Sequence, residues 1–221
     1  MIFHDVEQNT DEWDNLRAKR IGFSSLHKVM ANLGNTNKDG SIFWGEPAKK
    51  EAMRIANEIL IGEPVKDDDK FYGQWMSDGH TNEELARIEY EAYRESEFIT
   101  VSNGGFCESE TIKIFGGSPD GRILSENAHV EIKCVKYTTQ IETKRKGCYD
   151  RTHHWQLMAN LFECGIDYID FVSYCHTFPE GKRLFIDRLY PEEYKEETDK
   201  IEPRLRQFEQ LIEEYIKIIL S

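Results

Sequence analysis

Phe115-Gly116-Gly117-Ser118-Pro119-Asp120-Gly121-Arg122-Ile123-Leu124, the turn Ser125-Glu126-Asn127-Ala128, and then Val130-Glu131-Ile132-Lys133-Cys134-Val135 form the stretch from which the rest of the chain is read. It predicts two strands of a hairpin. On the second strand the period-2 alternation of β-structure sets Glu131 and Lys133 on one face and Val130, Ile132 and Cys134 on the other. Asp120, read as the acidic residue of the first strand, reaches the same face as Glu131 because the turn doubles the chain back. Two carboxylates converging with a lysine make a site for a divalent metal, since hard Mg²⁺ takes a few carboxylate oxygens and keeps waters that a phosphate can replace. The lysine then holds or deprotonates an attacking water, or neutralises charge developing on the phosphoryl group. A lone exposed Glu-x-Lys is common and weak. What sets this one apart is its apolar company and the Gly-Ser-Pro-Asp-Gly corner, where proline fixes one backbone angle and glycine permits unusual ones.

With 221 residues the chain can bury a full core and is expected to be one domain, 1–221. Lys plus Arg number 28 against 41 Asp plus Glu, a formal charge of −13, so any contact with nucleic-acid phosphates must be local. Basic clusters stand at Arg17-Ala18-Lys19-Arg20, at Lys49-Lys50 with Arg54, and at Lys144-Arg145-Lys146 with Arg151, while acid concentrates after Pro191. No apolar run approaches the roughly 18 residues of a membrane helix, and Met1-Ile2-Phe3-His4-Asp5 lacks the order of a signal peptide, so a cytoplasmic location is expected. The five cysteines, Cys107, Cys134, Cys148, Cys164 and Cys175, show no Cys-x-x-Cys spacing. That disfavours a disulfide framework, a zinc site or an iron–sulfur cluster, and predicts buried small hydrophobes.

Outward from the hairpin, Thr10 caps a helix through Trp13, Leu16 and Arg17 that ends near Gly22. Ser24 or Ser25 can cap the next, and the backbone N–H groups there, with Arg17 and Lys19 or Arg20 beside them, make a candidate pocket for a terminal phosphate. Pro47 opens a helix to about Leu60, an acidic linker follows at Lys66 to Lys70, and a longer helix runs from Phe71 to Arg94 with Leu85, Ile88 and Tyr93 toward the core. On that helix His80 reads as a polar surface residue, and either Glu83 or Glu84 can lean toward the metal site. Phe98 to Val101, Gly105 to Glu108 and Thr111 to Phe115 are β-prone runs leading into the hairpin. Beyond it, Arg151 to Phe162 is an amphipathic helix with Trp155, Met158, Ala159 and Phe162 on its apolar face and Gln156 directed toward the cleft. Tyr168 to Cys175 and Arg183 to Tyr190 are two further strands, and Pro191 to Leu220 is a long acidic helix that Pro203 breaks or kinks.

Taken together, these elements resemble the PD-(D/E)XK nuclease superfamily and, more narrowly, the phage lambda exonuclease family of YqaJ-like viral recombinases. The motifs that carry the resemblance are Ser118-Pro119-Asp120-Gly121 and Glu131-Ile132-Lys133-Cys134, with Trp13, Leu16-Arg17 and Ser24 at the family's N-terminal spacing. Gly79 with Glu83 fits the family's helix pattern and selects Glu83 over Glu84. Gln156 matches the glutamine of a tyrosine-rich helix, although His153, His154 and Trp155 stand where tyrosines are frequent, and Met158 replaces a second glutamine.

The resemblance implies an α/β fold with a restriction-endonuclease-like core, a mixed central β-sheet flanked by helices. The nuclease core would span about 71–190, with a helical N-terminal segment over 1–70 and a C-terminal helix over 191–221. It implies that Asp120, Glu131 and the Ile132 carbonyl hold Mg²⁺ or Mn²⁺, with Lys133 beside the attacking water, Glu83 near a second metal or its waters, Gln156 in the catalytic set, and Arg17 and Ser24 on a DNA 5′-phosphate. The implied activity is a 5′-to-3′ double-strand DNA exonuclease of phage or prophage recombination that releases 5′-mononucleotides and leaves a 3′ strand. It acts on double-stranded DNA ends as a homotrimer, with a single-strand annealing protein as partner. The alternatives are another nuclease of the superfamily, an endonuclease or single-strand exonuclease, and, remotely, a non-catalytic DNA-binding subunit.

Overall fold

The computed structural model describes residues 1–65, 74–95 and 98–221, with positions 74–81 described through their backbone alone. The expected linker Lys66 to Lys70, the helix start at Phe71 and the side chain of His80 lie outside the described residues. In chain order the elements are β1 (Ile2–His4), α1 (Asp11–Arg17), α2 (Leu26–Met30), α3 (Glu46–Ile61), α4 (Gln74–Tyr93), β2 (Val101–Asn103), β3 (Phe106–Glu108), β4 (Gly116–Gly117), β5 (Gly121–Ile123) and β6 (Ala128–Cys134). There follow α5 (Tyr137–Lys146), α6 (His154–Glu163), β7 (Tyr168–Tyr174), β8 (Leu184–Leu189), α7 (Lys195–Thr198) and α8 (Ile201–Leu220).

Among the described residues the strands form two sheets, a small one ordered β1-β3-β4 and a larger one ordered β2-β5-β6-β7-β8. The larger sheet is mixed. β6 and β7 run parallel, with Glu131 opposite Phe171, while β5 and β8 flank them antiparallel. A parallel pair needs a crossover, and α5 and α6 supply it.

The alternation along β6 and β7 separates two cores. Ala128, Val130 and Ile132 of β6, with Tyr168, Val172 and Tyr174 of β7, pack under Ala86 and Tyr90 of α4. The opposite face, with Ile169 and Phe171, joins a larger core built from α2, α3, α6 and α8. His129, Glu131 and Lys133 therefore look toward α6.

Several elements differ from their sequence expectation. Thr10 caps α1 as expected, its hydroxyl accepting the Trp13 N–H at 3.3 Å, but the helix stops at Arg17, where Ala18 turns extended with ψ 144° and Lys19 then takes a left-handed φ of 66°. Neither Ser24 nor Ser25 caps by its side chain; Phe23–Ser25 is a tight helical turn that runs straight into α2. Leu85, Ile88 and Tyr93 are exposed, and Ala86 and Tyr90 face the core instead. Of the three β-prone runs, the first pairs only from Val101, the second from Phe106, and the third contributes a single bridge from Phe115 to Ile21 before β4. Asp120 lies in the bend before β5, not on a strand, and Cys134 is exposed at the end of β6. Pro191 to Leu220 is not one helix: a tight turn over Pro191–Tyr194 and α7 precede α8, and Pro203 sits in the first turn of α8, where a missing N–H costs nothing, so the division falls before the proline.

Candidate active site

β6 presents Glu131 and Lys133 as read from the sequence, and the corner before β5 brings Asp120 to them. β5 pairs with β6 only as far as Gly121 opposite Val130, which leaves the Ile132 N–H beyond the ladder. That N–H donates to Asp120 Oδ2 at 2.7 Å and fixes the carboxylate. The corner is also held from behind: Trp13 Nε1 donates to Ser118 Oγ at 2.8 Å and Gln8 Nε2 to the Pro119 carbonyl at 3.0 Å. A Cβ on Gly104 would meet that same carbonyl oxygen at 1.7 Å, so only glycine allows the close approach.

Glu131 is fully buried. Its Oε1 accepts from Lys133 Nζ at 2.5 Å and from Gln156 Nε2 of α6, while Lys133 Nζ lies 3.6 Å from Asp120 Oδ2. Its Oε2 is buried with no hydrogen-bond partner among the described residues. Burial, and secondarily the charge of Asp120, push the Glu131 carboxyl up to about 8 against the pull of Lys133. Burial works against the Lys133 cation, yet the charges of Asp120, Glu131 and Glu83 raise its pKa on balance and hold it protonated. Glu83 on α4 is half-buried and acts electrostatically on Lys133 and Cys134, which places it at the edge of the cluster. Asp120, Glu131, Lys133, Gln156 and Glu83 thus converge from three elements and one corner.

An oxygen with free lone pairs, buried beside a second carboxylate and without a donor among the described residues, is the donor chemistry a hard divalent cation requires. Asp120 and Glu131 fit such an ion.

Sequence reasoning missed some of this face. His153, at the start of α6, is half-buried, packs its ring 5.8 Å from that of Phe171, and has its pKa lowered by burial and by Lys133. His153, Gln156 and Asn160 fall at i, i+3 and i+7, one polar stripe along a helix whose other side is apolar. That spacing was the available signal.

Arg17 lines a separate cavity of about 250 Å³ together with Arg20, Lys28 and Arg54 and the acids Asp14, Glu51 and Glu58. Lys28 and Arg54 pair with Glu51, and Arg54 also with Glu58 at 2.6 Å. Arg17 forms no ion pair among the described residues; its guanidinium lies 4.2 Å from the Trp13 ring centroid, and burial, with Arg54 nearby, lowers its pKa. Ser25 lines the cavity, whereas Ser24 is exposed on the turn. Gly116 of β4 lines it too, so the strand that leads into the Asp120 corner also walls the cavity. Lys144, Arg145 and Lys146 occupy the last turn of α5, where Lys144 Nζ donates to the Lys182 carbonyl at 2.6 Å.

Residues 12–167 match the family model described as the YqaJ-like viral recombinase domain. Among solved structures, the chain is similar to an alkaline exonuclease, LHK-Exo, from Laribacter hongkongensis, at 23% identity over 95% of this chain and 96% of that one, with a TM-score of 0.74. The structure of LHK-Exo in complex with dAMP matches at 24% identity and a TM-score of 0.75, with the same coverage. A phage-related exonuclease from Haemophilus somnus 129PT matches at 18% identity over 93% of this chain and 99% of that one, with a TM-score of 0.62. At these identities the likeness shows a shared fold: the mixed sheet flanked by helices. No curated protein matches the chain. No helix among the described residues is long and apolar enough to cross a membrane.

Proposed function

We propose that this chain, which belongs to the YqaJ-like viral recombinase family, is a divalent-metal-dependent 5′-to-3′ exonuclease acting on double-stranded DNA ends in phage or prophage recombination. The observation that carries the reading is the buried, unpartnered Oε2 of Glu131 beside Asp120 and Lys133. LHK-Exo, similar in fold, is an exonuclease crystallised with dAMP, and a 5′-mononucleotide is the product proposed here.

Asp120, Glu131 and the Ile132 carbonyl would hold Mg²⁺ or Mn²⁺, with Glu83 beside a second ion or its waters. When bound, the cation supplies Lewis acidity toward a phosphate oxygen and lowers the pKa of the attacking water. The protein's own groups do the rest. Lys133, kept cationic by the two carboxylates, orients the water and offsets charge developing on the phosphoryl oxygens. Gln156, donating to Glu131 Oε1, engages that oxygen and leaves Oε2 for the cation. Arg17 has a charge left over for a 5′-phosphate, with Arg20, Lys28 and Arg54 around it, so that a molecule of net charge −13 still offers a local anion site. The reading includes a homotrimer that passes the 3′ strand to an annealing protein; the exposed Leu85, Ile88, Tyr93 and Phe98 are apolar surface available for a subunit contact.

The test is digestion of 5′-phosphorylated linear duplex in parallel with covalently closed circles, with Mg²⁺ and with chelator. Mononucleotides released from the 5′ end of the linear form alone, and only with metal, are expected. Cutting of the closed circle overturns the exonuclease reading. In the same assay Arg17→Ala should erase the preference for 5′-phosphoryl over 5′-hydroxyl ends, and an unchanged preference dismisses the phosphate pocket.

A further inference from the structure

Cys107 on β3, His129 on β6 and Cys164, the residue that closes α6, meet where the small sheet, the large sheet and a helix come together. All three are buried. One ligand atom of each lies within 4.8 Å of those of the other two. The residues are scattered along the sequence, so no local motif announces them, and the proposed hydrolysis uses none of them.

The donor set is unlike that of the active site. Asp120 and Glu131 offer hard oxygens, whereas two thiols and an imidazole suit a borderline-soft ion, Zn²⁺ above Mg²⁺. The histidine is set in the form such an ion needs. Asn160 Nδ2 donates to the Gln156 carbonyl at 3.1 Å, which turns the amide oxygen toward His129 at 3.0 Å from Nδ1. An amide oxygen only accepts, so Nδ1 carries the proton and Nε2 keeps its lone pair. A ring nitrogen donating to an oxygen while the other binds is the arrangement of metal-ligating histidines. Two thiolates also neutralise the ion's charge, which removes the main cost of placing a dication in a buried position.

We propose that Cys107, His129 and Cys164 bind one Zn²⁺ ion through two thiolate sulfurs and Nε2. The bonds are about 2.3 Å to sulfur and about 2.0 Å to nitrogen, and a water takes the fourth tetrahedral position. The ion pins β3 to β6 and to the end of α6. From there His129, Asn160 and Gln156 run in hydrogen-bonded sequence to Glu131, so filling the site fixes the helix face against which the catalytic carboxylate rests.

The test uses the full-length chain, reduced with a phosphine and stripped of metal, titrated with Co²⁺. One equivalent should produce sulfur-to-cobalt charge-transfer absorption in the near ultraviolet and the visible bands of a tetrahedral ion, both displaced by one equivalent of Zn²⁺. These bands should persist in Glu131→Gln, which removes none of the three ligands, and vanish in the Cys107→Ser/Cys164→Ser double variant. Should that variant fail to fold by circular dichroism, Cys164→Ser alone is expected to lose roughly half of the charge-transfer intensity, one of two thiolates. With the hydrolytic site disabled by Glu131→Gln, Zn²⁺ should still raise the melting temperature, and adding His129→Gln should remove most of that rise. The proposal is overturned by a wild type without sulfur-to-cobalt absorption, by bands that survive in the double variant or keep full intensity in Cys164→Ser, or by two thiols lost to a Cys107–Cys164 disulfide without metal uptake.

Discussion

Glu131 and Asp170 are both carboxylates with no exposed surface, on the neighbouring strands β6 and β7, and they look to opposite faces of one sheet. Asp170 is saturated. Arg188 reaches both of its oxygens, at 2.8 and 2.9 Å, Tyr90 donates at 2.6 Å, and Arg94 stands 3.6 Å away. Arg94 in turn binds Glu126 through two bonds and the Tyr168 hydroxyl at 2.9 Å, so the network closes on itself. Among the described residues Glu131 has its donors on one oxygen and none on the other. A buried charge is tolerable when it is paired and hydrogen-bonded throughout, and one left half-satisfied costs stability that folding alone gives no reason to accept. The contrast marks Asp170 as holding the sheet to α4, and it is what the proposed role of Glu131 predicts.

The sharpest way to break this contrast is to neutralise each carboxylate. Glu131→Gln should lower hydrolysis by at least about 10³-fold, on the order of 4 kcal/mol in the barrier, while the urea midpoint stays level or rises. A loss of fold instead would make Glu131 structural. Asp170→Asn is expected to do the reverse, costing about 3 kcal/mol of stability because Arg188 and Arg94 lose their buried counter-charge, with the specific activity of the remaining folded protein near wild type. Equilibrium unfolding and activity per folded molecule, measured on the same samples, separate the two. Gln156→Ala sharpens the comparison from the side of α6: it frees Glu131 to turn and should reduce the rate roughly tenfold, about 1.4 kcal/mol, with little change in melting temperature.

The smallest effect is a slope with pH. Without metal, the folded chain keeps a proton on Glu131 up to about 8, while the unfolded chain releases it near the ordinary glutamate value of 4.5. Between those values the folded state binds more protons, so stability falls as pH rises. Lys133, its pKa raised, does not change charge in that window. Thermal melts in chelator should therefore drop between the two values in the wild type and stay flatter in Glu131→Gln, and Mg²⁺ should reverse the drop by binding the ionised carboxylate.

Much of this was legible without coordinates because strand alternation is local. A residue and the one two places on share a face whatever packs above them, so Glu131 with Lys133 needed no partner to be read, and the Ser118-Pro119-Asp120-Gly121 corner carries its own stiffness. The polar positions of α6 were equally accessible through helical spacing, though only Gln156 was picked out. Helix α4 shows the limit. Apolar residues occur around much of its circumference, and which side is buried depends on Tyr90 finding Asp170 for its hydroxyl, a contact between residues far apart in the chain. Leu85, Ile88 and Tyr93 lost that contest and lie exposed.

The sequence by itself determined the hairpin that carries Glu131 and Lys133, most of the helices and strands, and the family, because these rest on short-range periodicity and on motifs a few residues long. Tertiary structure alone decided which carboxylate oxygen remains unpartnered, that Arg17 shares its cavity with Lys28 and Arg54, and that Cys107, His129 and Cys164 converge. Each of those is a matter of what stands across a gap, and a gap has two sides that the chain brings together only when the sheets and helices close on one another.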